Sequence, residues 1–107
     1  MERVIKLGEV ETRMVANATT PRLYRSLFKR DVFRDLSTSI DGEDIVNYET
    51  FENIAFVMAM QGGSVSTGAK IEDWLAGFPT YAIAEAVDQI MELWAGTTAT
   101  TSDAKKE

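Results

Sequence analysis

The longest uninterrupted apolar stretch of the chain lies at its middle, where no residue from Ile54 to Met60 is polar. A helix over 48–61 would be apolar almost all the way round, and such a helix is buried in a core or inserted in a membrane. A bilayer span needs about 20 apolar residues, and Gln61-Gly62-Gly63 stops this run far short. It is therefore read as the central core helix of a small domain, capped by Asn47 and ended by Gly62-Gly63. Upstream, Val4-Ile5-Lys6-Leu7 and Val10-Glu11-Thr12-Arg13-Met14-Val15 flank Gly8-Glu9, which predicts a two-residue hairpin over 3–15. Glycine in the first loop position suits a type II′ turn, which needs positive φ there. Pairing Leu7 with Val10 sets Ile5 opposite Thr12 and Arg3 opposite Met14, and gathers Ile5, Leu7, Val10 and Met14 on one apolar face. An isolated hairpin is marginal in water. Its apolar face must lie on the chain's own helices, the simpler reading, or on another chain's strands.

Between hairpin and core helix, Thr19-Thr20-Pro21 reads as a helix start, with Thr20 as cap and Pro21 at the first helical position. The spacing of Tyr24, Leu27, Phe28, Val32 and Leu36 predicts one helix over 21–36 with those five residues buried. Ser37 to Val46 reads as a polar, acidic loop. Past the core helix, the Gly/Ser/Thr-rich run from Gln61 to Lys70 is a loop, Ile71 to Leu75 lies in a short helix over 70–76, and Gly77 and Pro79 end it. Thr80 then caps a last helix over 81–95, with Ile83, Val87, Ile90 and Trp94 facing inward. Residues 97–107 are Thr-rich with no apolar period, and read as a disordered tail. The expected fold is α+β, mainly α. It comprises an N-terminal hairpin and a small bundle of three to four helices in a single globular domain over 1–96.

Composition narrows the chemistry. The 107 residues hold no cysteine and no histidine, which removes disulfides, thiol nucleophiles and histidine acid–base catalysis. Asp41, Glu43 and Asp44 lack the twelve-residue calcium-loop pattern and its closing glutamate. The glycines after Gln61 lack the Lys-Ser or Lys-Thr pair of a phosphate loop. No nucleophile–base pair stands out, so no enzyme, metal or cofactor is expected. The first residues carry no long apolar core of a signal peptide, and the chain is expected in the cytoplasm.

Charge is segregated. From Thr20 to Leu36 five bases face two acids, a local +3, whereas from Ser37 to Gly96 one lysine faces ten acids, a local −9. Arg22, Arg25 and Lys29 recur at helical spacing on one face, and Glu85, Asp88 and Glu92 do so on the last helix. Each set is either a solvated face or a docking surface. The basic face of one copy against the acidic face of another is a candidate self-association contact. A small DNA-binding regulator using helix 21–36 is a competing reading. It is weakened because Tyr24, Leu27 and Phe28 take part of that helix for the core and the rest of the chain repels duplex phosphate.

Three segments in order resemble the tail assembly chaperones of long-tailed phages and prophages of Gram-positive bacteria. They are Thr20-Pro21-Arg22-Leu23-Tyr24-Arg25 after a short hairpin, Phe51-Glu52-Asn53-Ile54-Ala55-Phe56-Val57-Met58-Ala59, and Glu92-Leu93-Trp94 followed by the Thr-rich, lysine-containing tail. Glu72-Asp73-Trp74-Leu75 sits where such proteins carry a similar turn, while Ala95-Gly96-Thr97 departs from the asparagine expected after the tryptophan. The resemblance implies a non-enzymatic, oligomer-forming protein of the host cytoplasm, absent from the mature virion. Its partner would be the tape measure protein, kept soluble while the major tail protein polymerises around it. It further implies a frameshift-extended form that recruits the major tail protein, with Lys105-Lys106 as a possible slippery stretch. A structural head–tail or tail component is the alternative within the same setting.

Overall fold

The computed structural model describes the backbone of residues 1–41 and 48–106, with side chains described for 1–36 and 48–96. The order of elements is β1 (Glu2–Leu7), β2 (Val10–Val15), α1 (Thr20–Phe28), α2 (Val32–Asp41), α3 (Tyr48–Gln61), α4 (Ile71–Leu75) and α5 (Ala82–Lys106). The fold is α+β, mainly α. The expected acidic motif at 42–44 and the Asn47 cap lie outside the described residues.

The hairpin has the register that its pattern dictates: Leu7 pairs with Val10, Ile5 with Thr12 and Arg3 with Met14. Gly8 has φ +69°, and Glu9 is not among the residues with positive φ, the combination that a type II′ turn requires. Ile5, Leu7 and Met14 are wholly buried, since β2 packs on α3 and β1 on α5. The hairpin thus lies on its own helices. Val10, expected on the same buried face, is instead 46% exposed, although its cross-strand partner Leu7 is wholly buried. The turn also abuts the connection into α5: a Cβ on Gly8 would come within 2.6 Å of Pro79 Cδ.

α3 is the hub, touching β2, α1, α2, α4 and α5. Asn53 and every residue from Ile54 to Met60 are buried, as a helix apolar on all sides demands. It ends in a Schellman motif: Gly63 (φ +82°) donates its N–H to the Met60 carbonyl at 3.1 Å, and Ser64 donates to the Ala59 carbonyl at 2.9 Å. Left-handed backbone is inexpensive only for glycine, which accounts for Gly63 at that position. Gly62 serves a different need. A Cβ there would lie 2.3 Å from the Arg13 carbonyl oxygen, so the helix end and β2 meet backbone to backbone. Ser64 Oγ then accepts the Arg13 N–H at 3.0 Å and donates to the Arg13 carbonyl at 2.8 Å. These bonds satisfy the outer edge of β2 at that point.

α1 starts one residue earlier than expected and uses Thr20 differently. Thr19 occupies the cap position without a side-chain cap bond. Thr20, 1% exposed, instead accepts the Asn17 N–H at 2.9 Å and donates to Gln61 Oε1, tying the entry of α1 to the end of α3. Aromatic rings then form a chain across the interior. Tyr24–Phe28, Phe28–Phe56, Phe56–Trp74 and Trp74–Phe78 lie with centroids 5.1, 6.3, 5.4 and 5.1 Å apart, all tilted or edge-on. Such geometry adds roughly 0.5–1.5 kcal/mol per pair beyond area burial and anchors α4, which has no fully buried residue of its own.

Two helices run past the ends expected for them. α2 runs to Asp41, so helix extends into the stretch read as a loop from Ser37. α5 continues to Lys106, over the segment read as a disordered tail. No proline interrupts that segment, and the single Gly96 costs only about 1 kcal/mol in a helix.

Candidate interaction surface

The largest departure from the sequence reading shapes the surface on which the basic residues sit. The helix expected over 21–36 is broken. Lys29 adopts a left-handed conformation (φ 57°, ψ 35°) and closes α1 by donating its N–H to the Arg25 carbonyl at 2.8 Å. Asp31 opens α2: its Oδ1 accepts the Phe33 N–H at 3.0 Å, and its carbonyl accepts the Asp35 N–H at 3.0 Å. The break is held by a buried polar cluster. Asp35, 6% exposed, accepts Tyr24 O–H at 2.8 Å and a two-pronged pair of bonds from Arg30 Nε and Nη2, both 2.9 Å. Asn53 Nδ2 in α3 donates to Tyr24 Oη at 3.4 Å. A continuous helix would carry Arg30 away from this carboxylate. The Arg30 hydrogen bonds and charge hold the Asp35 carboxyl below its ordinary range against the opposing effect of burial, and burial pushes the Tyr24 hydroxyl up to about 12. Sequence reasoning placed Tyr24 only as an apolar stripe member and missed Arg30, Asp35 and Asn53.

Breaking the helix turns α2 about its axis relative to α1. Val32 and Asp35 go inward, and Phe33 is left 61% exposed. Leu27, expected in the buried stripe, is also exposed, whereas Tyr24 and Phe28 of α1 pack into the core. Phe33 then stands at the junction of two adjoining clefts. One, of about 520 Å³, is mostly apolar and includes Met1, Ala16, Ala18, Pro21, Phe33 and Trp94 in its lining. The other, of about 800 Å³, shares Ala18, Pro21 and Phe33 and is bordered by Arg22 and Arg25. The Phe33 and Trp94 rings lie 6.1 Å apart across the junction. Asp31 also lines the second cleft, with its Oδ1 engaged as the α2 cap.

Arg22 and Arg25 therefore share one wall, as their spacing predicted. Lys29 does not continue their ladder, since it is the left-handed terminus of α1. On α5, Glu85, Asp88 and Glu92 are all exposed, but they part company in use. Glu92 accepts a 2.8 Å bond from Arg3 Nη1 of β1, which makes it a contact within the chain. Glu85 and Asp88, like Arg22 and Arg25, have no ion pair among the described residues. Trp94, expected to face the core, is only partly buried and lines the apolar cleft, whereas Leu93 is 4% exposed and takes the inner position.

Among the described residues, no group of three or more histidine, cysteine, aspartate or glutamate side chains is arranged to hold a metal ion. No helix among them is long and apolar enough to cross a membrane. No family model, no curated protein and no solved structure matches this chain.

Proposed function

We propose that this chain is a non-enzymatic tail assembly chaperone of a long-tailed phage or prophage. It binds the tape measure protein in the host cytoplasm, keeps it soluble and supports assembly of the tail tube around it. The observation that carries this reading is the ordered resemblance running through most of the chain, whose three segments fall on the start of α1, on α3 and on the Glu92–Trp94 turn of α5. The surface is compatible with a protein partner: the two adjoining clefts are open troughs, and exposed aromatic and basic side chains lie side by side along them. Division of the basic run between α1 and α2 removes the continuous helix that a groove-binding DNA regulator would use.

The test is co-expression with the tape measure protein of the same phage or prophage, followed by a tagged pull-down. The expected result is a soluble tape measure protein that co-purifies with several copies of this chain. A tape measure protein that stays insoluble and unbound, with both chains well expressed, overturns the reading. Recovery of the chain from purified virions would move it to the structural tail components.

A further inference from the structure

Two surfaces on this chain are unlike, complementary and held apart. The first is the trough beside α1, where Arg22 and Arg25 flank a floor that contains Pro21 and the 61% exposed Phe33. The second lies at the start of α5: Tyr81, 69% exposed, with Ala84, Glu85 and Asp88, all exposed. The Tyr81 carbonyl accepts the Glu85 N–H at 2.9 Å, so Tyr81 belongs to the first helical turn. The four residues fall at intervals of three, four and seven, one continuous stripe along the helix.

These surfaces cannot meet within one molecule. The apolar cleft that adjoins the trough is lined by Trp94 and Ala95, and at 1.5 Å per residue Tyr81 lies roughly 20 Å back along the rigid α5 from Trp94. The trough carries two guanidinium groups and the stripe two carboxylates that have no ion pair among the described residues. The acid in the trough lining, Asp31, has its Oδ1 turned to the Phe33 N–H as the α2 cap, which leaves the trough net positive. Each surface also has a large exposed ring that a partner could bury.

We propose that the occupant of the trough is the α5 stripe of a second copy, with Glu85 and Asp88 facing Arg22 and Arg25, and Tyr81 covering Pro21 and Phe33. This is a helix-in-groove contact, in which an amphipathic face is read at i, i+3, i+4 and i+7. The ring pair supplies the buried anchor, and the rim charges set orientation and salt sensitivity. Both halves of the contact are present on every copy and they differ, so the contact is head-to-tail and propagates unless its rotation closes a ring. The inference concerns the chain alone and stands apart from the identity of any larger partner.

The experiment is sedimentation velocity on the pure full-length chain, on the groove variant R22E/R25E, on the stripe variant E85R/D88R, and on an equimolar mixture of the two variants. All four residues are exposed, and far-UV circular dichroism confirms that each variant is folded. The wild type is expected to associate with rising concentration and to dissociate as salt is raised, because rim charges are screened over about 8–10 Å at ordinary ionic strength. Each variant alone places like charges in the contact and is expected to associate on the order of tenfold or more weakly. The mixture is expected to regain wild-type association: the native stripe of one variant fits the native groove of the other, and the two reversed surfaces fit each other. A wild type that stays monomeric at all concentrations overturns the proposal. Variants that associate like the wild type, or a mixture that stays dissociated, do the same. A monomeric wild type whose trough binds an acidic amphipathic peptide would reassign the surface to a different protein.

Discussion

Replacing Asp35 by alanine probes the contact that decides how the first half of this chain is folded. The carboxylate joins three elements: it accepts from Tyr24 of α1, from Arg30 of the connecting turn, and lies in the first turn of α2. The Arg30 side chain is 63% exposed, so water can replace its lost partner and that part of the cost is at most about 1 kcal/mol. The Tyr24 hydroxyl has no such recourse, since the residue is wholly buried. Leaving its O–H without an acceptor costs roughly 1–3 kcal/mol, and loss of the favourable charge at the start of α2 adds about 0.3–1 kcal/mol. These contributions overlap, and the expected destabilisation at neutral pH is about 3 kcal/mol. With a urea m-value of about 1.5 kcal/mol/M, the unfolding midpoint should fall by about 2 M. Tryptophan fluorescence and far-UV circular dichroism should report the same shift.

The double variant Y24F/D35A provides the sharper arm of this experiment. Removing the orphaned hydroxyl should return at least about 1 kcal/mol relative to the sum of the single changes. The pH dependence gives an independent check. Because the folded-state pKa of Asp35 is lowered, its stabilisation is present above the unfolded value near 3.8 and is lost as pH falls through the folded value. The stability gap between wild type and Asp35→Asn should therefore hold at neutral pH and close below about pH 4. A midpoint shift under about 0.3 M for Asp35→Ala, or strict additivity with Tyr24→Phe, would refute the account of a network-held break.

Other substitutions test other parts of the fold. Tyr24 has its pKa raised to about 12, so its contribution is complete below the unfolded value near 10 and is lost between about pH 10 and 12; Tyr24→Phe should flatten the alkaline stability profile over that window. Gly62→Ala should cost about 3 kcal/mol or more by driving α3 from β2, since its Cβ would meet the Arg13 backbone at 2.3 Å; chemical denaturation reads the loss, and a near-neutral result would show that the two backbones can part. Lys29→Gly relieves a left-handed non-glycine residue and should raise stability by about 0.5–1 kcal/mol, seen as a higher thermal midpoint. No gain would mean that Lys29 makes a compensating interaction.

What the sequence determined by itself is what depends on near neighbours. The hairpin register follows from alternation of residues 4–7 and 10–15 around a glycine whose positive φ sets the turn. Burial of α3 follows from the absence of any polar residue between Ile54 and Met60, and its end follows from a glycine that can turn left-handed. Arg22 and Arg25 share a surface because residues three apart on any helix do. The break at Lys29 was not legible in this way. Tyr24, Leu27, Phe28, Val32 and Leu36 keep helical period straight across it, and Lys29 has no local reason to leave the right-handed region. Only when α1 and α2 pack on α3 does a buried acceptor opposite Tyr24 become worth the cost of a left-handed lysine, because burial makes an unpaired hydroxyl expensive. The same packing turned Phe33 out to solvent, gave Leu93 the inner position on α5, and committed Glu92 to Arg3 while leaving Glu85 and Asp88 exposed. Helical period specifies which residues share a face. Which face meets the core, and which is left for a partner, depends on distant segments that exist side by side only in the folded chain.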